Sequence, residues 1–386
     1  MILGMYCNWG VVKFKGEFYI SAIHQHYIQT FKERSDCLYL LSKSRESAPN
    51  HGHIKLEDVQ VIELPHFHSY LGSIRYFFKI VKGLFRLLKL TDFVYLRVPE
   101  PFVWVAGILK FFTKTKIHYH YVSFPFEVIN SYDESWLKRT LKKFMFYPEY
   151  ILTAAFSSLN TVSSLGENGV KRLPLFLPKI AQPLYEVSYR KGYESSKFSS
   201  EIMDTDTIRF LYVGRLVAGK GLEELLDSTA ILYKTSTKDF TLTIAGDGVL
   251  REKLENLVIN NSLTDVVKFI GPVRFGNDLN KVYTSHDVLI SPSYSETGPR
   301  TVLEAASNYL YVISTDVGYV RELFCEDDLC TCKLIRPGST SDLVSALNYV
   351  LSNKFLCKEH AELSVKKAQN HTIDDFVDSI LGNYYR

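Results

Sequence analysis

Between residues 207 and 320, short apolar runs alternate with longer helical patterns, and no other feature of this chain restricts its fold as strongly. "IRFLYVG", "FTLTIAG", "VVKFIG", "VLISPS" and "YVISTD" read as strands bounded by Gly, Pro or polar residues. "GLEELLDSTAILYK", "LREKLENLVINN", "DLNKVYTSH" and "TVLEAASN", which lie between them, have helical spacing. Such a β-α-β-α series implies a parallel sheet with helices on both faces. In a sheet of that kind ligands collect outside the carboxyl ends of the strands. The loops that follow these strands are therefore where function is sought.

The first half repeats the theme less regularly. Strands are expected at Ile2–Cys7, Cys37–Leu41, Phe93–Arg97, Ile117–Val122 and Asn160–Val162, with long helices between them. Residues 191–206, "KGYESSKFSSEIMDTD", are polar and Ser-rich and read as a boundary or an exposed loop near one. At 386 residues the chain has room for two or three domains. The expected architecture is two doubly wound, Rossmann-like α/β domains facing each other across a cleft, 1–185 and 186–368.

Charge is divided unevenly. Residues 1–185 carry 23 Lys and Arg against 14 Asp and Glu, a net +9, while the remainder is net −6. The total of +3 is too small to imply nucleic acid. The asymmetry points to an anionic partner for the first half, with uneven drift of solvated charges as the competing reading. The six cysteines form no secreted disulfide framework, and Cys325, Cys330 and Cys332 lack a histidine at ligand spacing. Free thiols in a reducing compartment are expected, with no metal. The start, "MILGMYCNWGVVKF", reads as a strand rather than a signal peptide, and the expected location is cytoplasmic.

Each strand end in the second half delivers polar groups. "VGRLVAGKG" sets Arg215 and Lys220 among glycines, starting at Gly214, that let backbone N–H groups approach an anion; the two cations suit a diphosphate. The next strand ends in Gly246-Asp247-Gly248. Gly271-Pro272-Val273 follows, with backbone groups able to read a flat base edge. "PSYSETGPRTVLE" then places Glu296 in a loop and Glu304 inside the next helix. Pro299 suits the first helical position, where free N–H groups face outward.

"GRLVAGKG", "IAGDG", "VVKFIGPV", "VLISPSYSETGPRTVLEAAS" and "ISTDVG", in this order and spacing, resemble the donor half of family-4 glycosyltransferases, which have the GT-B fold. The resemblance covers about 207–345. It implies that Arg215 and Lys220 grip the diphosphate of a nucleotide-sugar, and that Glu304 accepts hydrogen bonds from the ribose. It also implies that Glu296 faces the sugar ring with backbone N–H groups of Thr297, Gly298 and Arg300, while the backbone near Val273 meets the base. The family transfers sugars with retention and without a metal, the departing diphosphate taking the acceptor proton; no cofactor is implied beyond the donor. The terminal segment 369–386 contains "HTIDDFVDSILGNYYR", an amphipathic helix that the resemblance expects to cross back onto the first domain.

The chain departs from the family pattern in its first half. A Gly-Gly loop commonly follows the first strand there, and here "FKGEFY" offers Gly16 alone. A histidine commonly ends a central strand, and "KIHYHYVSFPF" supplies His118 and His120, His120 being nearer the carboxyl end. His120 is the candidate sugar contact, with a packed core histidine as the alternative. Tyr309 and Tyr311 replace the family's small residue and Pro after "LEAAS".

The reading that follows is transfer of a sugar to a glycan or lipid-linked acceptor in cell-surface polysaccharide or oligosaccharide synthesis. A sugar-nucleotide epimerase and a non-catalytic binding partner on the same fold remain open. "IRYFFKIVKGLFRLLK" spaces Arg75, Lys79, Lys82, Arg86 and Lys89 by four and three, one stripe of a helix, with Lys138, Arg139, Lys142 and Lys143 as a second cluster. The stripe is expected either to meet an anionic membrane, at the inner face of the cell membrane, or to be a solvated face.

Overall fold

The computed structural model describes the chain apart from residues 8, 51, 131–134, 194, 196–202, 204–205, 328 and 386. Most of the expected boundary stretch 191–206 thus lies outside the described residues. The chain divides into two compact units, 1–185 with 373–386, and 186–372.

The first unit is built on strands β1 (Ile2–Tyr6), β2 (Val11–Phe14), β3 (Glu17–Ser21), β4 (Cys37–Glu46), β5 (His53–Lys55), β6 (Val59–Leu64), β7 (Phe93–Val98), β8 (Lys116–Tyr121), β9 (Thr161–Leu165) and β10 (Gln182–Leu184). They run in the order β10-β9-β8-β7-β1-β4-β2-β3-β5, with β6 also paired to β4. From β10 to β4 all pairs are parallel, and these central strands are buried almost throughout, as a sheet covered on both faces requires. The helix Phe77–Leu90 buries Ile80, Leu84, Leu87 and Leu88, positions that recur at helical spacing. The helix Ile373–Tyr385 packs here too: Arg34 pairs with Asp374 at 2.9 Å, and Phe376 meets Tyr27 edge-on at 5.7 Å.

The alternation rule did not reveal β2, β3 and β5, which form an antiparallel edge. β2 and β3 are joined at Lys15 (φ 51°) and Gly16 (φ 80°), two left-handed residues as a two-residue hairpin turn demands. Gly16 therefore turns a hairpin, a correction to its expected place in the loop after the first strand. That loop instead contains Trp9 and Gly10.

The second unit has β11 (Ile208–Val213), β12 (Phe240–Ala245), β13 (Val267–Gly271), β14 (Val288–Ser291), β15 (Tyr311–Thr315) and β18 (Lys333–Ile335), in the order β13-β12-β11-β14-β15-β18, all parallel. Strand order reverses between β11 and β14, the topological switch where such sheets open a crevice. The wholly buried Asp287, just before β14, accepts from Arg209 of β11 at 2.8–3.0 Å and fixes the two strands at their amino ends. A two-strand hairpin, β16 (Cys325–Glu326) with β17 (Leu329–Cys330), places Cys325 opposite Cys330, and the two are joined as a disulfide. This corrects the expectation of six free thiols; Cys7, Cys37, Cys332 and Cys357 remain reduced.

Candidate functional site

At the switch in the second unit, backbone contacts set the positions of the side chains. Gly214 N–H donates to Ala245 O at 3.0 Å, and Gly246 N–H donates to Gly271 O at 2.8 Å, lacing together the ends of β11, β12 and β13. A Cβ on Gly246 (φ 141°) would lie 1.8 Å from Gly214 O, so no other residue fits there. Gly221 (φ 66°) begins the helix Leu222–Thr235, and its Cβ would lie 2.1 Å from Pro292 O. Tyr294 N–H donates to Gly219 O at 2.8 Å. The loops after β11 and β14 are thus pinned backbone to backbone.

That pinning brings Lys220 to Glu296, whose Oε1 accepts from the Lys220 ammonium. Their side chains are 21% and 24% exposed, so the pair is sheltered yet open to an incoming group. Arg215, in the same loop, is exposed. Sequence reasoning assigned Lys220 and Glu296 to different parts of one ligand; the structure has them bonded to each other. Thr297 and Gly298 are half-buried beyond them, and Gly318 presses on this turn, where a Cβ would come 2.7 Å from Thr297 O. The helix is Arg300–Ser307 and Pro299 is its N-cap, one position earlier than expected. Val273 follows β13 with its side chain half-buried.

Glu304 lies one turn into that helix and is only 9% exposed. Its Oε1 accepts from Ser188 Oγ and its Oε2 from Tyr283 O–H at 2.6 Å. Burial, then the charge of Glu304, hold the Tyr283 hydroxyl well above its usual pKa, so it stays a donor. A carboxylate has about four lone-pair sites, so two remain for other donors. Sequence reasoning missed both partners. Tyr283 sits in an ordinary amphipathic helix and Ser188 lies 116 residues from Glu304, so no local pattern marks either.

His120 requires correction. Alternation in β8 turns it into the face covered by the helix Ile373–Tyr385, where it is wholly buried. Its Nδ1 lies 2.7 Å from Ser163 Oγ, and its ring meets Phe376 edge-on at 5.2 Å and stacks on Tyr95 at 6.0 Å. It is a packed core residue and offers no surface to a sugar. His118 is also fully buried and shares Ser163; burial drives its imidazole well below the usual pKa, toward the neutral form.

The basic stripe is exposed as the spacing requires: Lys79, Lys82, Arg86 and Lys89 face outward from Phe77–Leu90. Arg75 is off this helix, capping the short helix Tyr70–Ile74 and lying over the Tyr76 ring at 4.7 Å, which corrects the five-residue stripe to four. Phe78, beside the stripe, is 84% exposed. The helix Trp136–Ser157 exposes Trp136, Leu137, Leu141 and Phe144 in its first turns, with Lys138 outside and Arg139, Lys142 and Lys143 half-buried. No described helix is long and apolar enough to cross a membrane.

Residues 194–371 match the family model of the glycosyl transferases group 1. Over 163 residues, 42% of this chain, the sequence is 32% identical to the sulfoquinovosyl transferase SQD2 of Arabidopsis thaliana, and the match spans 29% of that protein's length. HepE of Anabaena, solved in complex with UDP, superposes with a TM-score of 0.68 over 99% of this chain and 98% of its own, at 15% identity. WaaG, a glycosyltransferase involved in lipopolysaccharide biosynthesis, superposes with a TM-score of 0.67 over 98% of this chain and 100% of its own, at 18% identity. At these identities the likeness is one of fold.

Proposed function

We propose that this GT-B protein, with a second unit that matches the group 1 glycosyl transferases, moves a sugar from a nucleotide diphosphate sugar to a hydroxyl acceptor. The observation that carries the reading is the convergence of Lys220 and Glu296 at the switch point of the sheet, with Arg215 in the same loop as Lys220 and the buried Glu304 in the helix that follows Glu296. Arg215 and Lys220 supply positive charge where a diphosphate leaving group gains negative charge, an interaction that strengthens as the bond breaks. Glu304 takes the ribose hydroxyls and Glu296 the sugar, with the N–H groups of Thr297, Gly298 and Arg300 around it. The backbone at Gly214, Gly246 and Val273 lets the diphosphate and base approach closely. The acceptor proton passes to the departing diphosphate and configuration is retained. With two side-chain cations in this role the reaction needs no metal, so chelating divalent ions should leave turnover unchanged.

HepE was solved with UDP, so uridine diphosphate and its sugars head the panel of nucleotide diphosphates to test by thermal shift at one concentration. The true donor nucleotide stabilises most, by RT ln(1 + [L]/Kd). If none stabilises the protein, the donor reading fails. Incubation of the best donor with enzyme alone separates transfer from epimerisation, because an epimerase would yield an isomer without any acceptor.

The products belong to cell-surface polysaccharide or lipid-linked oligosaccharide synthesis at the cytoplasmic face of the cell membrane. Support comes from the first unit, where basic Lys79, Lys82, Arg86 and Lys89 lie beside exposed Phe78, and Lys138 stands among exposed Trp136, Leu137, Leu141 and Phe144. Cations with aromatic and aliphatic side chains between them suit an anionic lipid surface, each contributing on the order of 1 kcal/mol.

A further inference from the structure

The first unit has a hollow of its own at the carboxyl edge of its sheet, where β4, β6, β7 and β8 end. The cavity measures about 300 Å³. Its walls are Phe67, Tyr70, Pro101, Val128, Ile129 and Phe146, and Pro99 and Pro125 also line it. Prolines carry no N–H, so apart from Ser69 and Ser123 these walls offer few hydrogen-bond donors. The wall is also held in place. Buried Glu149 accepts from Phe102 N–H at 2.7 Å, from Trp104 Nε1–H at 2.7 Å and from Tyr70 O–H at 3.0 Å, while Tyr70 packs on Phe146 at 5.0 Å. A pocket fixed in this way is ready before any ligand arrives.

The rim has the opposite chemistry. Lys43 lies over the Phe67 ring at 5.4 Å, its ammonium donating to Phe67 O at 3.4 Å, and the exposed His68 also lines the cavity. His66 touches His68 edge-on at 4.6 Å. Burial, then His68, Lys43 and Arg45, push the His66 imidazole below its usual pKa, which shows how closely these basic groups are gathered. Glu100 is the carboxylate on the rim, suited to accept from a hydroxyl. An apolar chamber under a cluster of basic groups complements one kind of molecule, an apolar chain carrying an anion.

Resting on the reading of this protein as a sugar transferase, we infer that its acceptor is a phosphate-bearing amphiphile and that this cavity of the first unit receives it. Its apolar segment enters the cavity against Val128, Ile129 and Phe146, and its phosphate meets Lys43 and His68. The cavity is at the small end of ligand pockets, about 300–1,000 Å³, so it takes part of a lipid chain and not the whole.

Titration calorimetry of the full chain with octyl phosphate, octanol and inorganic phosphate tests the class. Octyl phosphate should bind at least tenfold tighter than either part alone. Val128→Trp should weaken it at least tenfold, and Lys43→Ala should erase its advantage over octanol. Ile129→Ala serves if the larger side chain disturbs folding, and it should weaken octyl phosphate several-fold. Inorganic phosphate binding as tightly as octyl phosphate would mean a site for soluble anions and would overturn the proposal. So would octanol matching octyl phosphate, or cavity variants that bind like wild type. Nucleotide diphosphates that fail to stabilise a protein that still binds octyl phosphate would remove the donor reading and leave this ligand class standing.

Discussion

Replacing Glu296 with Gln keeps the shape of the loop after β14 and removes one charge from the pair with Lys220. Both side chains are partly exposed, at 21% and 24%, so the pair contributes to stability only roughly 0.2–1 kcal/mol, the range of sheltered surface ion pairs. The loop itself is held by backbone contacts, Tyr294 N–H to Gly219 O and Gly221 against Pro292, which the substitution does not touch. The fold should therefore survive with little loss. Lys220, released from its partner, becomes available to a diphosphate, so the bare nucleotide should bind as tightly as before or a few-fold tighter. Turnover should move the opposite way. Loss of a charged hydrogen-bond partner that acts on the sugar costs about 1.5–3 kcal/mol, or roughly 10- to 150-fold. Calorimetry with the preferred nucleotide diphosphate gives the first quantity, and nucleotide release at saturating donor gives the second. Equal losses in both would refute the assignment, because they would place Glu296 on the nucleotide rather than on the sugar.

Glu304→Ala should weaken nucleotide diphosphate binding by about 10- to 100-fold. It should also cost about 1–3 kcal/mol of stability by leaving the buried Tyr283 hydroxyl without its acceptor, read as a drop in the urea midpoint. Glu149 gives a pH signature. Burial lifts its carboxyl from 4.5 to about 7, so the stability it supports is fully present below about pH 4.5 and is lost as pH rises through about 7. Over that window wild type should lose roughly 3 kcal/mol more than Glu149→Gln in parallel unfolding series; parallel curves would contradict the burial argument. Reversing Lys79, Lys82 and Arg86 to Glu should abolish sedimentation with anionic vesicles at low salt and leave nucleotide binding intact. Wild-type protein that ignores such vesicles would return the stripe to a solvated face.

The second unit was legible in sequence because each of its central strands is an apolar run with a helix on either side. The expected strands from "IRFLYVG" to "YVISTD" each fall within a residue or two of the observed bounds. The first unit hid its edge. β2, β3 and β5 are short and half-exposed, so they lack the continuous apolar run that marked β1 and β7. Spacing could place Glu296 and Lys220 in loops, but their bond depends on loops 76 residues apart being pinned by backbone. His120 shows the limit of alternation. Position in a strand gives the face of a side chain, and what covers that face came from a helix more than 250 residues further along the chain.

The helix Ile373–Tyr385 belongs with residues 1–185, yet the ribosome delivers it only after the whole of 186–372. At about 5–20 residues per second this interval lasts roughly 10–40 s. During that time Tyr27 and the ring of His120 lack Phe376, and Arg34 has neither Asp374 nor Asp378. The first unit thus emerges early but matures late, while the second can close as soon as its own residues have left the tunnel. Chains truncated at residue 372 and released should present a protease-sensitive first unit beside a resistant second one, the reverse of the usual order in which amino-terminal domains finish folding first.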